Sequence, residues 1–447
     1  MRVFDSIAIG LPEILLPVEG IDLIRWAVIA CDQYTSEPEY WQKVENFVGS
    51  SPSTLHLIYP EVYLNAPDKE IRIAKIQATM KEYLSRGIFR SVEGPVYVER
   101  ETAHGIRKGL LLAVDLEKYD YQPGASSLIR ATEGTILDRI PPRVKIREGA
   151  ALEVPHIMIL IDDETNSVIG PVTDHKNEFQ LLYDFDLMFD SGRVSGYLVN
   201  QPRVEKMIIN GLENLVQTEK FCQKYNLPEG TPPLLFAMGD GNHSLATAKT
   251  IWEKVKNNLK DSRQLQNSPL RYALVEVVNL HDESLVFEPI HRVLFEVIVP
   301  EGFEKDFEDF FNGAVQIKEH HSFEQLRSEV NSKKKNEQVA GIIYKDSYKS
   351  VRFLQPVYNL TVGTLQNFLD DYLQKKAASG VDYVHGDDSL INIIKKKERS
   401  IGFYLPAMDK NEFFRTVILD GALPRKTFSL GEAWEKRFYL EARKLID

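Results

Sequence analysis

The sequence contains few cysteines, and we expect from it neither an export signal nor a membrane-spanning run. Of its 447 residues only Cys31 and Cys222 are cysteines, and they form no C-x-x-C spacing, which argues against a disulfide framework or a cysteine zinc site. Asp5 and Glu13 interrupt the apolar N-terminus, so it fits neither a signal peptide nor a span of about 20 residues. We expect a reduced, cytoplasmic protein with no membrane partner.

Several catalytic signatures are also missing. The chain has no G-x-x-x-x-G-K-[ST] loop, no G-x-G-x-x-G between a strand and a helix, no H-E-x-x-H and no G-x-S-x-G. These absences argue against a P-loop enzyme, a zinc enzyme and a serine hydrolase. The net charge of −11 argues against a broad surface for binding phosphate backbones. We therefore expect no nucleic-acid partner.

The hydrophobic residues, 43% of the chain, are enough to bury large cores. Helical spacing predicts helices over residues 68–92 and 202–225, and strand-like runs predict hairpins over 94–121 and 272–295. This mixture predicts an α+β (mixed α/β) fold with mostly antiparallel sheets and packed helices, rather than a regular βαβ series.

A change in pattern near residue 300 predicts two domains. Residues 1–300 would form the main α+β domain that carries the site. Residues 301–447 would form a smaller α/β region packed against it, and the final stretch 424–442 could pack back on the first part of the chain.

The segment 236–249, FAMGDGNHSLATAK, joins an apolar strand-like run directly to a helical pattern. Asp240 or Asn242 is a suitable N-cap, and Gly239 and Gly241 permit backbone conformations that other residues avoid. The amides of a first helical turn have no partners within the helix, so they can bind an anion. The segment therefore predicts a phosphate site.

Asp240 and His243 are the chemically active groups of this segment. A carboxylate beside a phosphate is repulsive unless it binds a metal, orients the histidine or accepts a proton from an attacking hydroxyl. The alternative is structural, with Asp240 acting only as a cap and His243 as a partly exposed helix residue. The local sequence leaves both interpretations open.

A second polar turn, CDQYTSEPEYW, follows an apolar run. Ser36 is a natural N-cap for a helix that begins near Pro38, so the nearby glutamates are explained by the helix dipole. Asp32 has no such explanation and is a candidate base or metal ligand. Cys31 is a candidate nucleophile only if its thiolate is stabilised; a buried, inert cysteine is the alternative.

In the segment FEPIHRVLF, three polar residues interrupt an apolar strand: Glu288, His291 and Arg292. Pro289 predicts an edge strand or a bulged strand. His291 and Arg292 are candidates to stabilise transferred charge, and a salt-bridged edge strand is the alternative.

Residues 127–150 concentrate positive charge in an otherwise acidic chain. The cations are Arg130, Arg139, Arg143, Lys145 and Arg147. Their density predicts recognition of an anionic ligand, against the alternative of scattered surface ion pairs. His156 and His385 are more typical of satisfied buried or turn histidines.

Together these segments resemble an uncharacterised bacterial and archaeal family catalogued as domain of unknown function 1015. The resemblance covers nearly the whole chain and is carried by CDQYTSEPEYW, RKGLLLAVDLEKYDY, IRATEGTILDRIPPR, MGDGNHSLATAK, FEPIHRVLF and PRKTFSLGEAWEKRFYLEA. Many relatives carry Asp-Gly-His-His-Arg where this chain has Asp240-Gly241-Asn242-His243-Ser244. The chain thus keeps His243 but has Asn242 in place of one histidine of this box and Ser244 in place of its arginine.

The box is also similar to the Gly-x-His-Arg segment of the ParB and sulfiredoxin superfamily, whose members bind nucleotides and include free-serine kinases. The resemblance implies a ParB/sulfiredoxin-like nucleotide site at the strand-to-helix junction. The residues that would form it are Gly239, Asp240, Gly241, Asn242 and His243. With Ser244 in place of the arginine, another cation must supply the phosphate-binding charge. The candidates are Lys249, Arg292 and the cations from Arg130 to Arg147.

The residues and the resemblance predict a nucleotide-dependent phosphotransferase, kinase-like, that acts on a small hydroxylated metabolite, with free serine as a candidate. Such transfer needs chiefly positioning and charge neutralisation. ATP or ADP is the expected cofactor, with Mg²⁺ held by Asp240 or Asp32. The candidate catalytic residues are Asp32, Asp240, His243, His291 and Arg292. A non-catalytic nucleotide-binding sensor or regulatory module is the alternative, a nuclease or hydrolase is a third option, and the oligomeric state is open.

Overall fold

The computed structural model describes residues 1–122, 124–134, 140–259, 261–334 and 337–446. They fall into two compact units, of which the first comprises Met1–Val286 with Gly431–Asp447 and the second comprises Phe287–Leu430. The boundary expected near residue 300 lies inside the second unit, after its first strand.

The strands are numbered in chain order: β1 Arg2–Phe4, β2 Ile9–Leu11, β3 Glu13–Pro17, β4 Val28–Ile29, β5 Phe89–Glu93, β6 Val96–Thr102, β7 Gly105–Asp115, β8 Tyr119–Asp120, β9 Ile129–Arg130, β10 Leu152–Glu153, β11 Met158–Ile161, β12 Gln180–Asp186, β13 Arg193–Leu198, β14 Phe236–Asp240, β15 Tyr272–Asn279, β16 Phe287–Phe295, β17 Val315–His320, β18 Gln338–Tyr344, β19 Ser347–Phe353, β20 Gly380–His385, β21 Ile401–Tyr404, β22 Phe428–Leu430, β23 Phe438–Tyr439 and β24 Arg443–Lys444.

The α-helices are numbered in the same way: α1 Leu23–Trp26, α2 Pro38–Val48, α3 Lys69–Ser85, α4 Ile140–Arg147, α5 Gly170–Asp174, α6 Pro202–Leu215, α7 Thr218–Tyr225, α8 Asn242–Lys256, α9 Ser262–Asn267, α10 Phe303–Phe310, α11 Phe323–Asn331, α12 Thr361–Gln374, α13 Asp387–Lys396 and α14 Lys410–Leu419. In the described part of the chain, none of these helices is long and apolar enough to cross a membrane.

The first unit is built on a large sheet with the strand order β12-β13-β6-β7-β15-β11-β14-β9-β8, to which β2 and β1 are added beside β7. β6 and β7 form the antiparallel hairpin that the sequence predicts. Parallel pairs occur where β11 meets β15 and where β9 meets β14 and β8. The predicted mixed α+β class is confirmed.

The large sheet separates two apolar cores, because successive residues of a strand point to opposite faces. In β7, Leu110 and Leu112 join one core, whereas Leu111 joins the other. The first core includes α6 and α8, through Leu212 and Trp252. Helices α2 and α3 pack in the second core. Helix α8, which follows the glycine-rich turn, is therefore anchored by its buried apolar face.

The last segment of the chain returns to the first unit. β23 pairs with β4, and β24 pairs with β10. Immediately before β23, the Arg437 guanidinium binds the Glu276 carboxylate on β15 and lies 2.5 Å from the carboxylate of Glu441, which lies between β23 and β24. Arg437 also donates to the Pro155 carbonyl at 3.1 Å. These buried contacts fix the segment against the centre of the large sheet.

The second unit has an antiparallel sheet with the order β17-β19-β18-β21-β16-β20, and β22 pairs with β16. Helices α11 and α13 cover one face through Leu326 and Leu390, which pack with Tyr404. The preceding residue, Phe403, faces an aromatic cluster on the opposite side, where the Phe307 and Phe368 rings of α10 and α12 lie 4.7 Å apart.

The predicted hairpin over residues 272–295 is wrong. β15 pairs with β7 and β11 in the first unit, whereas β16 pairs with β20, β21 and β22 in the second. Every residue of β15 is buried, so its backbone groups need partners on both sides, which a two-stranded hairpin does not provide.

β16 as a whole is not an edge strand, because it has partner strands on both sides, but Pro289 itself is paired on one side only. Pairing with β20 begins only at Ile290. Pro289 pairs with β22 alone, so its missing N–H falls where the ladder has not yet become two-sided.

The helix predicted over residues 202–225 is divided into α6 and α7. Leu212 and Phe221 are both buried. In one continuous helix they would lie on opposite sides, since nine residues make about two and a half turns. The break after Leu215 allows both side chains to be buried.

We expect Leu440→Ala to lower the free energy of unfolding of the first unit by about 2–5 kcal/mol, because it removes buried contacts and leaves a cavity. Leu440 is 2% exposed, whereas Leu181 on β12 is 52% exposed. Leu181→Ala is the matched control and should cost less than about 0.5 kcal/mol. Urea denaturation measures both, and equal losses would contradict the described packing of the C-terminal segment.

Candidate functional site

The strand-to-helix junction at residues 239–243 is as short as the sequence predicts. β14 ends at Asp240 and α8 begins at Asn242, so Gly241 is the single residue that connects the strand to the helix. Its φ is +80°, in the left-handed region where glycine is strongly favoured. The Ser244 and Leu245 amides both bond to the Gly241 carbonyl at 3.0 Å.

The N-caps predicted at α8 and α2 are wrong. Asp240 is still a strand residue, paired with Met158, and Gly241 is the N-cap without a side-chain cap. At α2 the helix begins at Pro38, so Glu37 takes the cap position that was predicted for Ser36. In each case the preferred capping side chain stands one position away from the cap.

The start of α8 has the electrostatic character of an anion site. The Asn242 and His243 amides precede the first intrahelical bonds, and the first turn contains no acidic residue. The partial positive charge of the helix start is therefore not compensated within that turn.

Both glycines of the junction lie close to β11. A Cβ on Gly241 would lie 3.1 Å from the Ile157 Cα, and one on Gly239 would lie 3.1 Å from the Leu160 Cγ. Position 241 thus requires glycine for two reasons: its φ is positive, and the Ile157 backbone lies too close for a Cβ. Gly239 lies in the strand, and its need for glycine comes from packing alone.

Asn242 connects the start of α8 to the segment after β9. The Thr132 amide donates to the Asn242 side-chain oxygen at 3.4 Å, and the Thr132 hydroxyl donates to the Met238 carbonyl at 2.7 Å. The IRATEG segment is thereby held beside the junction.

Asp240 is paired with a cation that the sequence analysis did not identify. The Lys436 ammonium lies 3.4 Å from its carboxylate, which also accepts the Gly241 N–H at 2.9 Å. Burial by itself raises the pKa of Asp240, but Lys436, His156 and the Gly241 N–H together hold that pKa below its ordinary value. An ionised carboxylate of this kind suits cation binding better than proton abstraction.

His156 links this junction to the C-terminal segment. Its Nε2 lies 3.1 Å from the Ser244 hydroxyl, and its Nδ1 lies 2.8 Å from the Tyr439 hydroxyl. The Tyr439 hydroxyl also accepts the Cys31 N–H at 3.2 Å. His156 is a satisfied histidine, as predicted, but its partners connect three elements of the candidate site.

Asp32 and Glu61 form the acidic side of the site. Glu61 binds the Arg143 guanidinium, and its amide donates to the Cys31 carbonyl at 2.8 Å. Burial raises the pKa of Glu61; Arg143 opposes this shift and Asp32 adds to it. Burial also raises the pKa of the Cys31 thiol, together with the charges of Asp32 and Glu61. Cys31 therefore stays a neutral thiol and is not an activated nucleophile.

A cavity of about 130 Å³ lies beside His156 within the first unit. Its polar lining includes Glu61, Arg143, Arg147, His156 and Ser244, and its other walls are largely apolar. A volume near 150 Å³ is enough for one benzene molecule. The cavity therefore suits a small compound of roughly six non-hydrogen atoms.

Two of the predicted phosphate-binding cations form hydrogen bonds with backbone carbonyls of the protein itself. Arg130 donates to the Ser127 carbonyl at 2.8 Å and the Pro232 carbonyl at 3.1 Å. Lys249 donates to the Leu116 carbonyl at 2.8 Å and pairs with a glutamate one turn later on α8.

His291 and Arg292 lie in the second unit and are fully buried there. Arg292 donates to two backbone carbonyls and to the Gln366 side chain. The His291 ring accepts the Leu405 N–H at 3.1 Å and lies 3.3 Å from the Asp387 carboxylate. Burial lowers the pKa of His291. Both groups are held in place by contacts inside that unit.

The other predicted cations have separate surroundings. Arg143 and Arg147 line the cavity, where they pair with glutamates. Lys145 is exposed and lies 3.2 Å from Glu70. Arg139 lies outside the described residues.

One group of metal-ligand type lies away from the predicted site. The carboxylates of Asp162 and Glu164 and the ring of His281 lie within 4.8 Å of one another. However, the Lys224 ammonium lies 2.8 Å from Asp162 and 3.4 Å from Glu164. Both carboxylates thus already contact the same protein cation, and we assign no metal to this group.

We expect Gly241→Ala to cost about 1–3 kcal/mol more than Gly230→Ala, because only the first change forces a Cβ against packed backbone. Gly230 has a φ of +81° with nothing within 4 Å of a Cβ, so the two changes share the same backbone strain. Urea denaturation of both variants measures the difference. Equal losses would contradict the close approach of Gly241 to Ile157.

Asp240→Asn should lower stability at pH 7 by about 1–3 kcal/mol and by less as the pH falls below about 4. The folded-state pKa of Asp240 is depressed. Its contribution is therefore present above the unfolded-state pKa and is lost as the pH falls through the folded-state pKa. Denaturation of both proteins across this range measures the change, and a difference that does not vary with pH would contradict the assigned charge state.

Three solved structures resemble parts of this chain. They are a conserved hypothetical protein from Pyrococcus furiosus, a free serine kinase in complex with AMP, and SbnI with a C-terminal truncation from Staphylococcus aureus. Their identities are 11%, 8% and 10%, with TM-scores of 0.36, 0.38 and 0.33. The likenesses cover 75%, 75% and 74% of this chain and 95%, 92% and 82% of theirs. At these TM-scores they establish neither a shared fold nor a shared activity.

No curated protein sequence matches the chain significantly. The family described as Protein of unknown function (DUF1015) matches residues 15–372, which include β14, the Gly241 turn and α8. The chain therefore belongs to the DUF1015 family.

Proposed function

We propose that this protein is a nucleotide-dependent phosphotransferase that acts on a small hydroxylated metabolite, with free serine as the first acceptor to test. The start of α8 carries the proposal. There a left-handed Gly241 leads into amides that precede the first intrahelical bonds, in a turn without acidic residues. Such a helix start favours a phosphate group. ATP or ADP would supply the transferred phosphoryl group.

Gly239 to His243 would hold the nucleotide phosphates, as in a ParB/sulfiredoxin-like site. Ser244 brings no positive charge to this turn. Lys436, which pairs with Asp240, would supply that charge, because Arg130 and Lys249 are bound elsewhere in the fold. His243 would contact the transferred group from the first turn of α8.

The carboxylates of the site suit different tasks. Asp240, whose pKa is lowered, would hold Mg²⁺, which prefers carboxylate oxygens. Glu61, whose pKa is raised by burial, would accept the proton of the acceptor hydroxyl, since a base works best when its pKa approaches the working pH. Asp32 is the second candidate for either task.

The cavity beside His156 would hold the acceptor. Its volume of about 130 Å³ suits a molecule of the size of an amino acid such as serine. Its lining contains Arg143 and Arg147 together with their partners Glu61 and Glu153, and these charges of both signs suit an acceptor that carries an amino group and a carboxyl group.

A nucleotide-binding sensor without turnover is the second candidate function. The serine at position 244 favours it, because phosphate binding can rely on helix amides, whereas transfer also requires neutralisation of the developing charge. The Ser244 hydroxyl is tied to His156 at 3.1 Å.

The purified protein, incubated with L-serine, Mg²⁺ and either ATP or ADP, should form phosphoserine that mass spectrometry detects. Asp240→Asn should lower the rate by roughly 100-fold or more, as expected for a charged group that acts in the transition state. Asp22→Asn is the matched control, since Asp22 caps α1 and asparagine caps a helix equally well.

Thermal stabilisation by nucleotides without a phosphorylated product, from serine or from other small hydroxy acids, would contradict the transferase and support the sensor. If neither ATP nor ADP stabilises the protein, both functions are wrong.

A further inference from the structure

The second unit contains a larger cavity of about 370 Å³, within the range of small-molecule sites. The start of α12, one side of α14 and the loops over residues 356–360 and 405–408 line it. All of its lining residues belong to the second unit. It is therefore independent of the candidate site in the first unit.

The floor of this cavity includes the start of α12. Leu360 is the N-cap without a side-chain cap, and the first turn contains no acidic residue. The Gly363 and Thr364 amides bond to the Leu360 carbonyl at 3.0 and 3.2 Å. The Thr361 and Val362 amides precede these bonds, at the positive end of a helix of 14 residues.

Thr361 provides a second and independent indication of a ligand. Its side chain lines the cavity and the residue is only 6% exposed. Its hydroxyl has no hydrogen-bond partner among the described residues, whereas the Thr416 and Thr427 hydroxyls in the same lining donate to backbone carbonyls at 2.7 and 2.6 Å. The Thr361 hydroxyl can therefore donate to or accept from a group inside the cavity.

The charges that line the cavity favour an anion. Lys333 and Arg415 form no ion pair with any carboxylate in the described ranges, and Arg415 only donates to the Asn359 side chain at 3.3 Å. By contrast, Glu337 lies 2.6 Å from an Arg352 nitrogen. Glu412 also interacts with other protein groups. Of the charged groups in the lining, Glu337 is thus paired with a cation outside the lining, whereas Lys333 and Arg415 have no carboxylate partner among the described residues.

We propose that this cavity binds a small organic molecule that carries a phosphate group. Two cations, the amides at the start of α12 and the Thr361 hydroxyl together offer more donors than the two oxygens of a carboxylate can accept, and they match a phosphate dianion. Apolar residues of the lining, including Val357, Leu405 and Met408, would pack against the organic part.

Isothermal titration of the full chain with glycerol 3-phosphate and with inorganic phosphate, at constant ionic strength set by chloride, tests this site. We expect glycerol 3-phosphate to bind. Arg415→Gln and Thr361→Val should each weaken binding by roughly tenfold. Arg425→Gln is the matched control, because Arg425 is exposed in the same unit and does not line the cavity; it should keep the affinity of the natural chain.

A further variant separates this site from the start of α8, which would also attract phosphate. Asn242→Asp places a negative charge at α8 and keeps an oxygen for the Thr132 amide. It should leave the cavity component of binding intact. The inference is overturned if Asn242→Asp removes all binding, if Thr361→Val and Arg415→Gln both bind like the natural chain, or if millimolar glycerol 3-phosphate gives no binding. Circular dichroism checks that each variant is folded, and Thr361→Val removes only a hydroxyl.

Discussion

The buried contact between Arg437 and Glu276 is the interaction on which the geometry of the first unit depends. Glu276 lies so close to β7 that a Cβ on Gly109 would be 2.2 Å from its Oε1. Burial by itself raises the pKa of Glu276, but Arg437 and Arg107 outweigh burial and lower it, so the carboxylate stays charged inside the protein. Because Arg437 is fixed there, Lys436 on one side meets Asp240 and Tyr439 on the other side meets His156.

Asp240 and Glu61 lie in different surroundings, which shift their pKa values in opposite directions and suit them to different chemical tasks. Asp240 lies against a lysine and a backbone amide and stays ionised. Glu61 is partly buried near another carboxylate, and its pKa rises although it binds an arginine. Carboxyl groups whose pKa values are pushed apart are typical of sites that need both a fixed negative charge and a proton acceptor. The proposed transferase uses them in these two ways.

The sequence predicts features that depend on neighbouring residues. The β6–β7 hairpin and the direct passage from β14 to α8 follow from local apolar periodicity and from the position of glycine. The hairpin over residues 272–295 failed because long-range partners outcompete a local pairing. His156 and Tyr439 are 283 residues apart in the chain, and Lys436 meets Asp240 only through the returning C-terminal segment. Local patterns contain no information on such contacts.

The proposed function depends on the binding of nucleotide phosphates at the start of α8. A crystal structure of the protein with ADP and Mg²⁺ tests it most directly. We expect phosphate oxygens within hydrogen-bond distance of the Asn242 and His243 amides, about 2.7–3.2 Å, with Asp240 and Lys436 beside them. ADP bound elsewhere in the protein, with that helix start in contact only with solvent, would contradict the account.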